Sequence, residues 1–128
     1  QQVFRDGADR ERFTGMAKID METGDILYFN EGTDPSIGAT LTTAGGLVFN
    51  GDINRRFRAF DDETGETLWE TIVGGTISSS TISYAVDGKQ YIAILTGDNL
   101  ILTQMAGLSG TNIVPGDNTI YVFALPDQ

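Results

Sequence analysis

Short apolar runs, each about the length of a strand and each closed by a polar, glycine-bearing turn, follow one another along this chain. Residues 16–20 and 26–29 are predicted to be two strands joined by Asp20-Met21-Glu22-Thr23-Gly24-Asp25, where Gly24 supplies the positive φ such turns need. Four further runs, at 39–43, 46–50, 57–60 and 67–71, are separated by Ala44-Gly45, by Gly51-Asp52-Ile53-Asn54 and by Asp62-Glu63-Thr64-Gly65. Another run at 81–86 turns at Asp87-Gly88, a pair suited to the type I′ hairpin, and continues as 90–96. Residues 99–117, with Gly107, Gly110, Pro115 and Gly116 among mixed apolar positions, are expected to form a long loop. Residues 119–125 then return to strand before Pro126.

One phrase occurs twice. Asp20-Met21-Glu22-Thr23-Gly24-Asp25-Ile26-Leu27-Tyr28 comes back 41 positions later as Asp61-Asp62-Glu63-Thr64-Gly65-Glu66-Thr67-Leu68-Trp69. A period of that size, carried by short strands and an acidic turn, is the mark of a β-propeller blade built from four antiparallel strands. The chain is therefore read as all-β, with about three four-stranded blades, whereas propellers close with roughly 4–8. Residues 1–14 form a connecting segment and residues 15–128 the blades of a larger ring. An open arc would expose apolar faces and unpaired strand edges, so the chain is expected to be embedded in such a ring or to assemble with other chains.

Charge and missing residue types narrow the chemistry. The net charge of −10 argues against nucleic acid, whose phosphates call for clustered Lys and Arg. The one basic cluster, Arg55-Arg56-Phe57-Arg58, lies in a predicted strand between acidic residues and reads as an ion-paired surface. With no cysteine and no histidine, neither a thiolate metal site nor a Ser-His or Cys-His pair can form within the chain. Ser78-Ser79-Ser80-Thr81 has no evident activating base, and Gly45-Gly46 precedes a strand instead of the helix of a phosphate cradle. The two acidic turns lack the ligand spacing of an EF-hand. No catalytic residue and no metal ligand is assigned. No apolar run approaches a membrane span, and the amino end lacks the apolar core of a signal peptide.

The string Leu41-Thr42-Thr43-Ala44-Gly45-Gly46-Leu47-Val48-Phe49-Asn50-Gly51-Asp52, followed by Arg58-Ala59-Phe60-Asp61 and Thr64-Gly65-Glu66-Thr67-Leu68-Trp69, resembles the carboxy-terminal blades of pyrroloquinoline-quinone (PQQ)-dependent alcohol dehydrogenases. Asp87-Gly88-Lys89-Gln90-Tyr91-Ile92-Ala93 and Asn118-Thr119-Ile120-Tyr121-Val122-Phe123-Ala124-Leu125-Pro126 extend the likeness in the same order. The resemblance implies an eight-bladed periplasmic enzyme in which PQQ lies near the ring axis over a calcium or lanthanide ion, an Asp acts as base, and a cytochrome accepts electrons. The metal ligands and that Asp would come from blades preceding residue 1.

It further implies that Trp69 is a tryptophan-docking residue packing across the neighbouring blade. In the earlier copy Lys18 and Tyr28 stand where Ala59 and Trp69 stand, so that junction is expected to be weaker or packed differently. One cofactor contact falls inside the chain: many members carry Trp-Gly-Gly where this sequence has Ile37-Gly38-Ala39. Gly38 keeps the match and is the cofactor-binding candidate, through its backbone; Ile37 has neither an indole N–H nor an aromatic face. The Gly97-Asp98-Asn99-Leu100 stretch likewise departs from the family's Gly-rich run. Two functions follow. The chain is the closing segment of a quinoprotein alcohol dehydrogenase, providing ring closure and part of the active-site wall; the alternative, motivated by Ile37, is a non-catalytic propeller used as a binding or assembly scaffold.

Overall fold

The computed structural model describes Arg12, residues 14–97 and 118–126, and the single positions Gln104, Gly107, Gly110, Ile113 and Gly116. The connecting segment expected at 1–14 lies outside these residues except for Arg12 and Thr14. Nine strands are described: β1 (Thr14–Ile19), β2 (Ile26–Gly32), β3 (Leu41–Thr42), β4 (Leu47–Gly51), β5 (Arg56–Asp61), β6 (Thr67–Ile72), β7 (Ile82–Val86), β8 (Lys89–Thr96) and β9 (Thr119–Ala124). They form three antiparallel sheets, ordered β1-β2, β3-β4-β5-β6 and β7-β8-β9. The expectation of three four-stranded blades is thus met only by the middle sheet among the described residues. Within the expected loop, Gln104 and Gly107 have helical conformation, a local departure; most of residues 99–117 lies outside the described set.

The repeated phrase folds the same way twice. Asp20 Oδ1 accepts the Glu22 and Thr23 amides at 2.8 and 2.9 Å, and Asp61 Oδ1 accepts those of Glu63 and Thr64 at 3.1 and 2.8 Å. Gly24 and Gly65 close the turns at φ of 79° and 74°. By this correspondence β1 and β2 are the counterparts of β5 and β6, the outer half of a blade. The innermost strand β3 is shorter than the sequence suggested because its leading residues turn to the next sheet: the Ala39 amide donates to the Ser79 carbonyl at 3.2 Å.

Alternation along β4 builds both inter-sheet cores. Phe49 packs with Phe57, Ala59 and Val73 against Ile92 and Ile94 of the third sheet and against Ile77 in the connection leading to it. Val48, next along the strand, faces the other way with Phe60 and meets Phe29 of the first sheet. A strand apolar on both faces is what burial between two layers requires. The outermost faces remain apolar and open, with Ile19, Ile26 and Tyr28 on one side and Ile82, Tyr84, Val86, Ile120 and Val122 on the other.

Candidate functional site

Three connections meet where the second and third sheets begin: residues 35–40, the loop 52–55 between β4 and β5, and residues 73–81. Their polar groups are used to hold one another. Ser36 Oγ lies 2.6 Å from Asn50 Oδ1 and 2.8 Å from the Gly51 carbonyl, and Asn50 Nδ2 donates to Thr40 Oγ1 at 3.1 Å. The Ile53 amide donates to the Pro35 carbonyl at 3.1 Å, and the Ile77 amide to the Asp52 carbonyl at 3.2 Å. Gly51 has no side chain because the space a Cβ would take is filled by Ile77.

Asp52 is the buried charge of this assembly, only 2% exposed. Its Oδ1 accepts the Arg56 amide at 3.0 Å and its Oδ2 the Arg58 guanidinium at 2.9 Å. Burial pushes its carboxyl above the usual range, against the downward pull of the Arg56 amide and of Arg58. Arg58 also donates to Glu70 at 2.6 Å, and Arg56 pairs with Glu70 at 3.5 Å and Asp34 at 3.9 Å. Arg56 and Arg58 are therefore an ion-paired strand surface, as their acidic neighbours in the sequence suggested, whereas Arg55, expected in the same strand, lies in the loop before β5 with φ of 65°. That Asp52 would be the buried member of that surface was not foreseen, since a loop aspartate normally reads as solvated.

Gly38 lies against the connection 73–81 that leads into the third sheet. A Cβ there would sit 3.0 Å from the Ser79 carbonyl oxygen and 3.5 Å from that of Ile77, so a close backbone approach accounts for the glycine. The side-chain direction offers no recess into which a cofactor would fit. Ile37 packs with Ile113 against the buried Ile53. Ser79 spends its hydroxyl as a donor to the Leu95 carbonyl at 2.8 Å and as an acceptor from the Leu95 amide at 3.2 Å, bridging to β8 in place of a backbone pair. Gly46 takes φ of 77° in a turn between strands. Among the described residues, no three His, Cys, Asp or Glu side chains are grouped to hold a metal ion.

Trp69 reaches the neighbouring sheet, with its ring centroid 5.3 Å from that of Phe123. The first junction is packed differently, and register is the cause. A bulge between Ala59 and Phe60 pairs Ala59 with Trp69, whereas in the first sheet Lys18 pairs with Leu27 and Tyr28 with Ala17. One residue of slip moves side chains to the opposite face. Phe29 instead of Tyr28 enters the interface, meeting Phe60 edge to face at 5.6 Å. Lys18 crosses the same junction and donates to the Asp62 carbonyl at 2.9 Å. The arrangement is a set of connections hydrogen-bonded to one another, with no nucleophile–base pair among the described residues.

Comparison with known proteins agrees with this architecture. Residues 10–92 match the family described as "PQQ: Glucose/ethanol/alcohol dehydrogenase, beta-propeller domain". A 1-butanol dehydrogenase (cytochrome c) of Thauera butanivorans is 38% identical over 99 residues, covering 77% of this chain and 14% of the relative. A lupanine 17-hydroxylase [cytochrome c] of a Pseudomonas species is 42% identical over 81 residues, covering 63% of this chain and 11% of that protein. Among solved structures, a europium-containing methanol dehydrogenase superposes with a TM-score of 0.76 at 25% identity, covering 94% of this chain and 24% of that one. This chain belongs to the PQQ β-propeller family of glucose, ethanol and alcohol dehydrogenases.

Proposed function

We propose that this chain forms blades towards the carboxy-terminal end of a quinoprotein ring that oxidises alcohols with PQQ, contributing to ring closure and to the wall around the axis. The observation that carries the reading is the stack of sheets: two apolar interfaces join three successive layers, and the two outermost faces stay apolar and uncovered. Such faces suit further blades on either side. The relatives' lengths support it, since the chain spans only about a seventh of the butanol dehydrogenase.

PQQ, when bound, would accept the electrons removed from the alcohol, beside the calcium or lanthanide ion that the family resemblance implies. The work of this chain's own residues is positional. Asp52 and Arg58 fix the loop between β4 and β5, and Ser36 and Asn50 fix the connection that carries Ile37 and Gly38. In this reading the contact assigned to Gly38 is made through its main chain, because Ser79 fills the side-chain direction. No proton or electron step is assigned to a described residue. A periplasmic location and a cytochrome acceptor belong to the same proposal, the latter supported by relatives whose names carry cytochrome c.

One observation favours the scaffold reading: Ile37 spends its side chain on Ile53 and offers no aromatic face. A single experiment separates the two. Native mass spectrometry of the complete polypeptide, paired with dye-linked oxidation of primary alcohols, should find one quinone and one metal ion together with activity. A folded ring that binds neither after supply of both, and oxidises no alcohol, would remove the enzyme reading and leave the scaffold.

A further inference from the structure

Of Arg55, Arg56 and Arg58, one is left over. Arg56 and Arg58 pair with Asp34, Asp52 and Glu70, whereas the Arg55 guanidinium has neither an ion pair nor a hydrogen bond among the described residues. The residue is nevertheless partly buried. Its φ of 65° lies in the left-handed region that glycine fills without strain and that other side chains resist. The tight turn between β4 and β5 imposes that shape: the Asp52 amide donates to the Arg56 carbonyl at 3.1 Å, and the Arg56 amide donates back to Asp52 Oδ1 at 3.0 Å. Nothing in the turn itself calls for an arginine. A strained residue held by its surroundings is a candidate for function, and here the unused guanidinium says of what kind.

Position narrows the choice. The Arg55 carbonyl accepts the Val73 amide at 2.9 Å, and Ile53, two residues earlier, donates its amide to the Pro35 carbonyl and packs on Ile37. Arg55 thus stands where the connection carrying Ile37 and Gly38 meets residues 73–81, beside the wall assigned above to the ring axis. A guanidinium stays charged at any working pH and offers a planar fork that matches a carboxylate. An acidic protein face is the poorer occupant, because 18 acidic against eight basic residues give the chain a charge of −10 that repels a large anionic surface. A small carboxylate responds mainly to the nearest charge, since salt screens the more distant ones.

We propose that Arg55 binds the carboxylate of a hydroxy acid, so that the preferred substrates are alcohols carrying an anionic group away from the reacting hydroxyl. This names the substrate class of the dehydrogenase proposed above and rests on that reading. A site that holds a charged group in this way rejects the analogue lacking it, because the guanidinium is then left without its partner.

The test compares 4-hydroxybutanoate with butan-1-ol in the complete polypeptide supplied with quinone and metal, by dye-linked oxidation and, separately, by calorimetric binding of 4-hydroxybutanoate. The expected kcat/KM for the acid exceeds that for butan-1-ol at least tenfold. That ratio should fall at least tenfold in Arg55→Gln, be largely kept in Arg55→Lys and decline with added salt. Arg55→Gly should lose the same ratio while melting no lower than the parent, because glycine relieves the positive φ. A ratio that Arg55→Gln leaves unmoved overturns the proposal and spares the enzyme reading; if Arg55→Gly then also melts lower, the guanidinium pairs within the polypeptide instead. Calorimetry separates the two readings in the other direction. Binding of 4-hydroxybutanoate that Arg55→Gln abolishes, in a ring that oxidises no alcohol, keeps the carboxylate site and discards the enzyme reading.

Discussion

Trp69 and Phe123 meet edge to face, ring centroids 5.3 Å apart and planes at 72°, and so fasten the outermost strand of one sheet to the last described strand of the next. Phe57 stacks on Phe123 at 5.5 Å and meets Trp69 at 6.2 Å, making a three-ring cluster across the junction. Each aromatic pair of this kind contributes about 0.5–1.5 kcal/mol beyond its buried area.

Trp69→Ala should therefore destabilise the assembled ring by about 3 kcal/mol, the lower end for a large aromatic because part of the indole is exposed. Trp69→Phe keeps a ring against Phe123 and should cost about 1 kcal/mol. Urea unfolding followed by far-UV circular dichroism reads both. Equal midpoints for the parent and Trp69→Ala would show that the indole is not holding the junction.

Phe29 and Tyr28 make the complementary case. Phe29 is buried against Phe60, while Tyr28 lies on the open face of the first sheet. Phe29→Ala is expected to cost about 3 kcal/mol and Tyr28→Ala about 1 kcal/mol when each is measured in the complete polypeptide. The reverse order would mean that the first sheet is paired in the register of the second.

That contrast marks how far the sequence could be read. Strand positions and turns were legible because the apolar runs and the Asp-Glu-Thr-Gly phrase are local signals, and both turns fold on Asp20 and Asp61 as their chemistry demands. That Trp69 would reach across to the next sheet was an expectation of the family resemblance, and its ring does meet Phe123 there. The exchange of Tyr28 for Phe29 was not legible, because a bulge at Ala59 shifts one register and leaves no comparable mark in the residues themselves. Nor was the burial of Asp52, which depends on Arg58 folding back from six residues later. Gly38 was read as a backbone approach to a ligand, and the approach on display is to Ser79.

Acid should weaken the two acidic turns. The Thr64 amide and hydroxyl hold the Asp61 carboxyl below its ordinary value of 3.8, and the Thr23 and Glu22 amides do the same for Asp20. A depressed folded-state pKa gives stability that is present above the unfolded value and lost as pH falls through the folded one. The parent should thus lose stability below about pH 4 more steeply than the Asp61→Asn variant. Unfolding midpoints at pH 6, 4 and 3 measure the difference in slope, and parallel profiles would contradict it.

Gly38→Ala places a methyl 3.0 Å from the Ser79 carbonyl oxygen, which must retreat by a few tenths of an ångström while the Ala39–Ser79 hydrogen bond strains. A cost of about 1–2 kcal/mol is expected from this overpacking. Gly45→Ala, with only the Thr43 hydroxyl oxygen at 3.9 Å, should be nearly neutral by comparison. Thermal unfolding of both variants separates a packing glycine from a replaceable one; equal melting temperatures would deny Gly38 its role between the sheets.

Asp52 titrates in the opposite sense to Asp61. Burial raises its carboxyl above 3.8 despite Arg58, so its contribution is complete below the unfolded value and declines as pH rises through the raised folded one. Removing the side chain takes the Asp52 acceptor from the Arg56 amide and from Arg58 Nη1, although Arg58 retains Glu70 and a longer contact of 3.4 Å to Asn30 Oδ1. Asp52→Ala should therefore cost about 3 kcal/mol at pH 7, near the lower end for breaking a buried pair. Asp52→Asn keeps an acceptor oxygen and sheds the buried charge, so its cost at pH 7 should be smaller than that of alanine. Relative to the parent, the asparagine variant should lose most at pH 4 and least at pH 7, because only the parent is penalised for ionising a buried group. Urea titrations of both variants at the two pH values decide the matter: an asparagine cost that grows with pH would mean that Arg58 stabilises the Asp52 charge by more than burial opposes it.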